Sequence, residues 1–131
     1  MPTGAKIRVL IADDEKSLRD ILARHLRSLG LEVLEAEDGA QALALAREHV
    51  PDLVVLDITM PRMNGWDVAR NLRADLDTAH IKLLMLSGIG AEVLGSTVPL
   101  LGGDLALDKP FDLDELEAAL GSLLGSQAPW V

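Results

Sequence analysis

The chain is 131 residues long, the size of one ordinary domain, and its 49% hydrophobic and 25% charged residues give the balance of a globular fold rather than of a disordered segment. Lys and Arg number 12 against 21 Asp and Glu, and a formal charge of −9 argues against a nucleic-acid binder. The absence of Cys excludes disulfides, thiolate metal sites and cysteine nucleophiles, and no apolar run approaches the ~20 residues of a membrane span.

Residues 7–12 form a short apolar run stopped by Asp13 and Asp14, and read as a buried strand. Leu18, Ile21, Leu22, Leu26 and Leu29 follow at helical spacing, with Gly30 as a natural stop. Residues 32–36 make a second, weaker strand. Asp38 and Gln41 then have capping-box spacing. They open a helix that carries Ala40, Leu43 and Ala44 and ends before Pro51. Residues 53–57 give a third strand, again ended by an Asp, and Val68, Ala69, Leu72 and Leu76 mark a third helix. Residues 81–86 are a fourth strand meeting Ser87-Gly88, and residues 105–107 a short fifth. Asp112 and Glu115 make another capping box, opening a helix through Leu116, Leu120, Leu123 and Leu124.

Residues 88–103 break the rhythm, with Gly88, Gly90, Gly95, Gly102, Gly103 and Pro99. An interior Gly costs ~1 kcal/mol against Ala in a helix and an interior Pro ~3. The helix expected there is therefore short, at 91–98, or irregular. From Gly125 onward the chain reads as a tail, with Trp130 able to dock. Strand–helix alternation with short connections argues an α/β fold, a parallel sheet covered on both faces by helices.

In such a sheet, ligands bind beyond the carboxyl ends of the strands. Asp13 and Asp14 follow the first strand, Asp57 ends the third, Ser87 ends the fourth and Lys109 follows the fifth. Each Asp taken singly is most simply a solvated loop charge. Three acids, a hydroxyl and a Lys gathered at one end of the sheet are harder to dismiss. Carboxylates converging there repel one another, so some should titrate upward or a cation should sit among them. Mg²⁺ suits a few carboxylates with phosphate oxygens, and Lys109 and Ser87 would serve a phosphoryl group.

On these residues the chain resembles a response-regulator receiver domain of two-component signalling, over residues 6–124. The motifs are Asp13-Asp14, Asp57-Ile58-Thr59-Met60-Pro61-Arg62-Met63-Asn64-Gly65, Ser87-Gly88 and Lys109-Pro110-Phe111. The resemblance implies a doubly wound, five-stranded parallel sheet of flavodoxin-like order 2-1-3-4-5, with residues 1–5 as an extension and 125–131 as a tail. It implies that Asp57 accepts a phosphoryl group from a phosphohistidine. Asp14, Asp57 and the main-chain carbonyl of Thr59 would hold Mg²⁺, with Mn²⁺ able to substitute and Asp13 acting directly or through water. Ser87 and Lys109 would contact the phosphoryl oxygens, and Lys109-Pro110 would be a cis peptide bond. The implied donor is a histidine kinase or phosphotransfer protein. The remaining expectations are a stand-alone, cytoplasmic monomer or weak dimer, with an unidentified downstream protein partner and with neither nucleic acid nor membrane as partner.

The sequence also departs from the family. The strand-five position three residues before Lys109, often Tyr or Phe, is Ala106, which suggests that switching runs through the glycine-rich segment after Ser87. The apolar Ile89 suggests slow self-dephosphorylation. Arg70 and Arg73 read as solvated, Met60 and Met63 as packing residues, and Trp66 as either packing or partner surface. His25, His49 and His80 lack metal spacing. Two rivals remain. One is a phosphorylation-independent receiver-like module. The other is a haloacid-dehalogenase-type phosphohydrolase, disfavoured because Thr59 stands where that family wants a second Asp.

Overall fold

The computed structural model describes residues 6–88 and 102–130. Five strands, β1 (Arg8–Ala12), β2 (Glu32–Ala36), β3 (Leu53–Asp57), β4 (Lys82–Ser87) and β5 (Leu105–Asp108), form one parallel sheet in the order β2-β1-β3-β4-β5. The expected order 2-1-3-4-5 is therefore the observed one. The described helices are α1 (Lys16–Ser28), α2 (Gly39–His49), α3 (Gly65–Ala74) and α4 (Leu113–Leu124), followed by a 3-10 turn at Gly125–Gln127. The helix expected at 91–98, and Ile89, lie outside the described residues.

Strand alternation sorts the core into two layers. Leu10 and Ala12 of β1, Val54 and Leu56 of β3, and Leu83 and Met85 of β4 face α2 and α3. Their neighbours Val9, Ile11, Leu53, Val55, Leu84 and Leu86 face α1 and α4. Both sides of these strands are dry, which is why they read as continuous apolar runs.

Three helix details differ from the periodic reading, and the docking open to Trp130 takes place. Ile21 is 53% exposed, because α1 buries the side centred on Leu22 and Leu26. In α2 the buried side is Gly39, Ala42, Leu43 and Ala46, while Ala40 and Ala44 face solvent. A run of alanines offers two overlapping stripes, and only packing chooses between them. Leu76 lies beyond the end of α3 and is 94% exposed. The buried Thr78 hydroxyl donates to the Leu72 carbonyl at 2.7 Å and turns the chain there. The residues after α4 fold back as well: Ala128 is buried and Trp130 joins the layer under α1 and α4, with its ring against Gly121.

Arg73 is a fourth correction. It is not solvated but staples the amino-terminal ends of β4 and β5. Its guanidinium donates to the carbonyls of Gly102 (2.9 Å), Ala79 (2.7 Å) and Ile81 (2.5 Å), and to Asp104 Oδ2 at 2.8 Å. The same Asp104 oxygen accepts from the Leu83 amide at 2.7 Å. Arg70, by contrast, stays at the surface beside Asp67. Arg73→Met is expected to destabilise the fold by about 2–3 kcal/mol in urea unfolding, since it removes the donor to three carbonyls and the charged partner of Asp104, and bonds to charged groups are worth about 1.5–3 kcal/mol. An unchanged midpoint would show that water replaces these bonds freely.

Candidate functional site

Sheet register brings the polar residues together. Ala12 pairs with Leu56, so Asp13 emerges from β1 level with Asp57 at the end of β3. Asp57 in turn pairs with Leu86, and Ser87 with Asp108, which sets Ser87 and Lys109 at the same edge. Alternation gives Asp13, Asp57 and Lys109 the parity of the α1/α4 layer, and Ser87 that of the α2/α3 layer.

Asp13 is fully buried and Asp57 is nearly so, whereas Asp14 is exposed. One ammonium serves both buried acids: Lys109 Nζ lies 3.2 Å from Asp13 Oδ2 and 3.2 Å from Asp57 Oδ2. The other oxygens are held by main chain. Asp13 Oδ1 accepts from the Glu15 amide at 2.9 Å, and Asp57 Oδ1 from the Thr59 amide at 3.2 Å. The backbone amide of Lys109 donates to the Ser87 carbonyl at 2.7 Å, which joins the ends of β4 and β5. The Lys109-Pro110 bond is cis. Ser87 is buried, while Gly88 is exposed with open space where a side chain would project.

Three carboxylates against one ammonium leave the cluster electron-rich. Burial first, and the charge of Asp13 second, push the Asp57 carboxyl above its ordinary range, against the opposing pull of Lys109 and the Thr59 amide. Burial pushes the Lys109 ammonium down, but the two acids outweigh it and the net shift is upward. Asp13, Asp14 and Asp57 each offer one oxygen, and all of these lie within 4.8 Å of one another. Hard oxygen donors with surplus negative charge match Mg²⁺ rather than a thiophilic metal.

The loop after Asp57 is fixed by two close glycine contacts. A Cβ on Gly65 would fall 2.6 Å from the Asp57 carbonyl oxygen, and one on Gly39 would fall 1.8 Å from that of Met63. Any side chain at either position would displace backbone. The Gly65 amide closes the loop on the Ile58 carbonyl at 2.9 Å, and the Asn64 side chain caps α3. Met60 is buried, and Met63 and Trp66 pack against the α2/α3 layer. Sequence reasoning missed Gly39, whose contact partner lies 24 residues away, and saw Asp38 only as a cap. Asp38 also pairs with Arg62 at 2.7 Å. The sequence offered no signal for that pair. Ala106 sits opposite Met85 and packs half-buried in the same layer as Trp66, so no ring occupies that position.

The model of the response regulator receiver domain family matches residues 9–121. The chain belongs to this family. This receiver domain is 40% identical over 119 residues to a probable transcriptional regulator, ycf27, of Porphyridium aerugineum, an alignment covering 91% of this chain and 48% of that protein. It is 38% identical over 120 residues to the DNA-binding dual master transcriptional regulator RpaA of Synechocystis, covering 89% of this chain and 48% of that protein. The chain thus spans about half the length of these curated relatives.

Among solved structures it is similar to the chemotaxis protein CheY4 of Vibrio cholerae, with TM-score 0.85 and 30% identity over 92% of this chain and all of that one (100%). It is also similar to the receiver domain of the sensor histidine kinase PA1611 of Pseudomonas aeruginosa, with TM-score 0.83 and 26% identity over 93% of this chain and 100% of that one. That structure has a magnesium ion coordinated in its active-site cleft. Receiver domains are signalling modules of two-component systems, characteristically phosphorylated on Asp by histidine kinases, and they bind Mg²⁺ at an acidic site. The family is one of signalling domains, which sets the hydrolase reading aside. Among the described residues no helix is long and apolar enough to cross a membrane.

The raised Asp57 pKa has a consequence for stability. A carboxyl that holds its proton more tightly folded than unfolded opposes folding when ionised. That penalty is full above its folded pKa and fades as pH falls through it toward the ordinary value of 3.8. Asp57→Asn is therefore expected to melt a few degrees higher than the wild type at pH 7 without metal, with the gap narrowing on acidification. A lower melting temperature for the variant would mean that the Lys109 pair outweighs burial.

Proposed function

We propose that Asp57 is the phosphoacceptor of this receiver domain, taking its phosphoryl group from a phosphohistidine on a histidine kinase or phosphotransfer protein. The observation that carries this reading is the position of Asp57: nearly buried at the carboxyl end of a central strand, 3.2 Å from Lys109 Nζ and grouped with Asp13 and Asp14. Asp14, Asp57 and the Thr59 main-chain carbonyl would hold Mg²⁺, or Mn²⁺ in its place, with Asp13 acting directly or through water. When bound, the ion supplies positive charge that offsets the surplus carboxylates and the incoming phosphoryl oxygens.

The chain's own groups do the rest. A carboxylate oxygen of Asp57 forms the new bond to phosphorus while the bond from phosphorus to the donor imidazole nitrogen breaks, and the imidazole takes up a proton from solvent. Ionised Asp57 is required for attack, and its strained, partly desolvated charge makes it a better nucleophile than a solvated carboxylate. The Lys109 ammonium, already shared between Asp57 and Asp13, pairs with a phosphoryl oxygen once Asp57 has become an acyl phosphate. The Ser87 hydroxyl donates to another phosphoryl oxygen. The transfer thus rests on positioning and charge, as phosphoryl transfer generally does.

The output is control of a protein contact or onward relay of the phosphoryl group. The transcriptional roles of the relatives belong to proteins about twice as long, and the downstream partner here is a protein that distinguishes the two states.

Intact-mass spectrometry with Mg²⁺ and acetyl phosphate is expected to show one added phosphoryl group that requires the metal and is absent in Asp57→Asn. Lys109→Ala should slow its appearance by about 10²-fold or more, the usual loss when one preorganised charge partner is removed. No adduct across donor concentrations and quench times would favour a phosphorylation-independent interaction module, a reading to which Ala106 would then lend weight.

A further inference from the structure

Resting on the reading of Asp57 as acceptor, we propose that Arg62 is a positioning residue: its ion pair with Asp38 clasps the acceptor loop to the amino-terminal end of α2 and so sets the affinity of the acidic cluster for a divalent cation. The loop runs from Asp57 to Gly65, and its centre is an unfavourable turn. The Met63 amide donates to the Pro61 carbonyl at 2.7 Å, an i to i+2 bond, and Arg62 between them has φ of 69°. A left-handed φ is uncommon for a non-glycine residue, and a three-residue turn centred on one is rare. Such a conformation persists only when surrounding contacts over-determine it.

Those contacts come from α2. Arg62 Nη1 donates to Asp38 Oδ2 at 2.7 Å, while Asp38 Oδ1 accepts from the Gln41 amide at 2.8 Å as the α2 cap. The Met63 carbonyl presses on Gly39, the next residue, closer than any side chain would allow. The Asp38 side chain is 9% exposed and that of Arg62 69%, so the carboxylate is the fixed end of the pair and the guanidinium reaches back to it. Hydrogen bonding from the Gln41 amide, with the charge of Arg62, holds the Asp38 carboxyl below its ordinary range, so it is ionised wherever the domain operates.

One side of the turn leads through Met60 to Thr59, whose amide is bonded to Asp57 Oδ1. The other leads to Gly65, which lies under the Asp57 carbonyl. Arg62 touches neither Asp57 nor its cluster. It fixes the span of backbone from which Thr59 approaches Asp57.

The test is calorimetric titration of Mg²⁺ into the wild type, Arg62→Gln, Arg62→Gly and Arg62→Lys, with melting temperatures taken in the absence of metal. Arg62→Gly accommodates the left-handed φ but lacks the clasp; Arg62→Lys restores the charge. The glutamine and glycine variants are expected to bind Mg²⁺ about 3- to 10-fold more weakly, short of the 10- to 100-fold typical of groups bonded directly to a ligand. Lysine should recover most of the loss. Their metal-free melting temperatures should stay close to the wild type, and acetyl phosphate labelling should slow at low Mg²⁺ and recover at saturating Mg²⁺. Asp38→Asn keeps the α2 cap, and combined with Arg62→Gln it should weaken binding no further than either change alone. Equal Mg²⁺ affinity in all variants, additive losses in the double variant, or an Arg62→Gly that matches the wild type would each overturn the clasp. A wild type that binds no Mg²⁺ would instead overturn the acceptor reading, and the clasp with it.

Discussion

The site depends on an electrostatic imbalance held at the edge of the sheet. Two carboxylates sit almost out of water, a third lies at their rim, and a single ammonium lies 3.2 Å from each buried acid. In water this arrangement would relax by separation or protonation. Here it cannot separate, because Asp13 and Asp57 leave adjacent strands whose hydrogen bonds fix them side by side. Burial first, and the neighbouring charge of Asp13 second, shift the Asp57 carboxyl upward. A divalent cation held by these carboxylates would offset their surplus negative charge.

Such a site needs stiff walls, and the rest of the fold supplies them. The central strands β1, β3 and β4 are buried on both faces, and their hydrogen-bonded ladders hold them in register. Arg73 ties the far ends of β4 and β5 to the turn before β4. Gly65 lets α3 start directly under the Asp57 carbonyl, and Gly39 lets α2 approach the Met63 carbonyl. The acceptor loop is thus squeezed between two helix starts, a place where small residues are required by contact rather than by flexibility. The half-buried Ala106 contributes only a methyl group to the α2/α3 layer at this point of β5, opposite Met85.

Much of this was legible in one dimension. Apolar runs ended by Asp, the Asp38 cap of α2, the capping box at Asp112 and Glu115, and the order of Asp13-Asp14, Asp57, Ser87 and Lys109 are local patterns, and local patterns survive in a string of letters. The helix faces were less legible where the string is degenerate. In α2, alanines at 40, 42, 44 and 46 support two stripes about equally well, and only the sheet beneath decides that 42 and 46 are inside. Leu76 looked like the next turn of α3, yet the Thr78 hydroxyl had already closed that helix.

The sequence by itself determined which chemistry was available: oxygen ligands, one ammonium, a hydroxyl, and strands short enough to end where those residues begin. Only the tertiary structure decided how these groups share charge. Lys109 reaches Asp13 across 96 residues of chain, Arg73 finds Asp104 across 31, and Arg62 finds Asp38 across 24. Pairings at such separations follow from the order and register of strands, which are set by the collective burial of two apolar layers and not by any residue near the site. A periodic pattern specifies which side of an element is wet. It does not specify which element will lie against it.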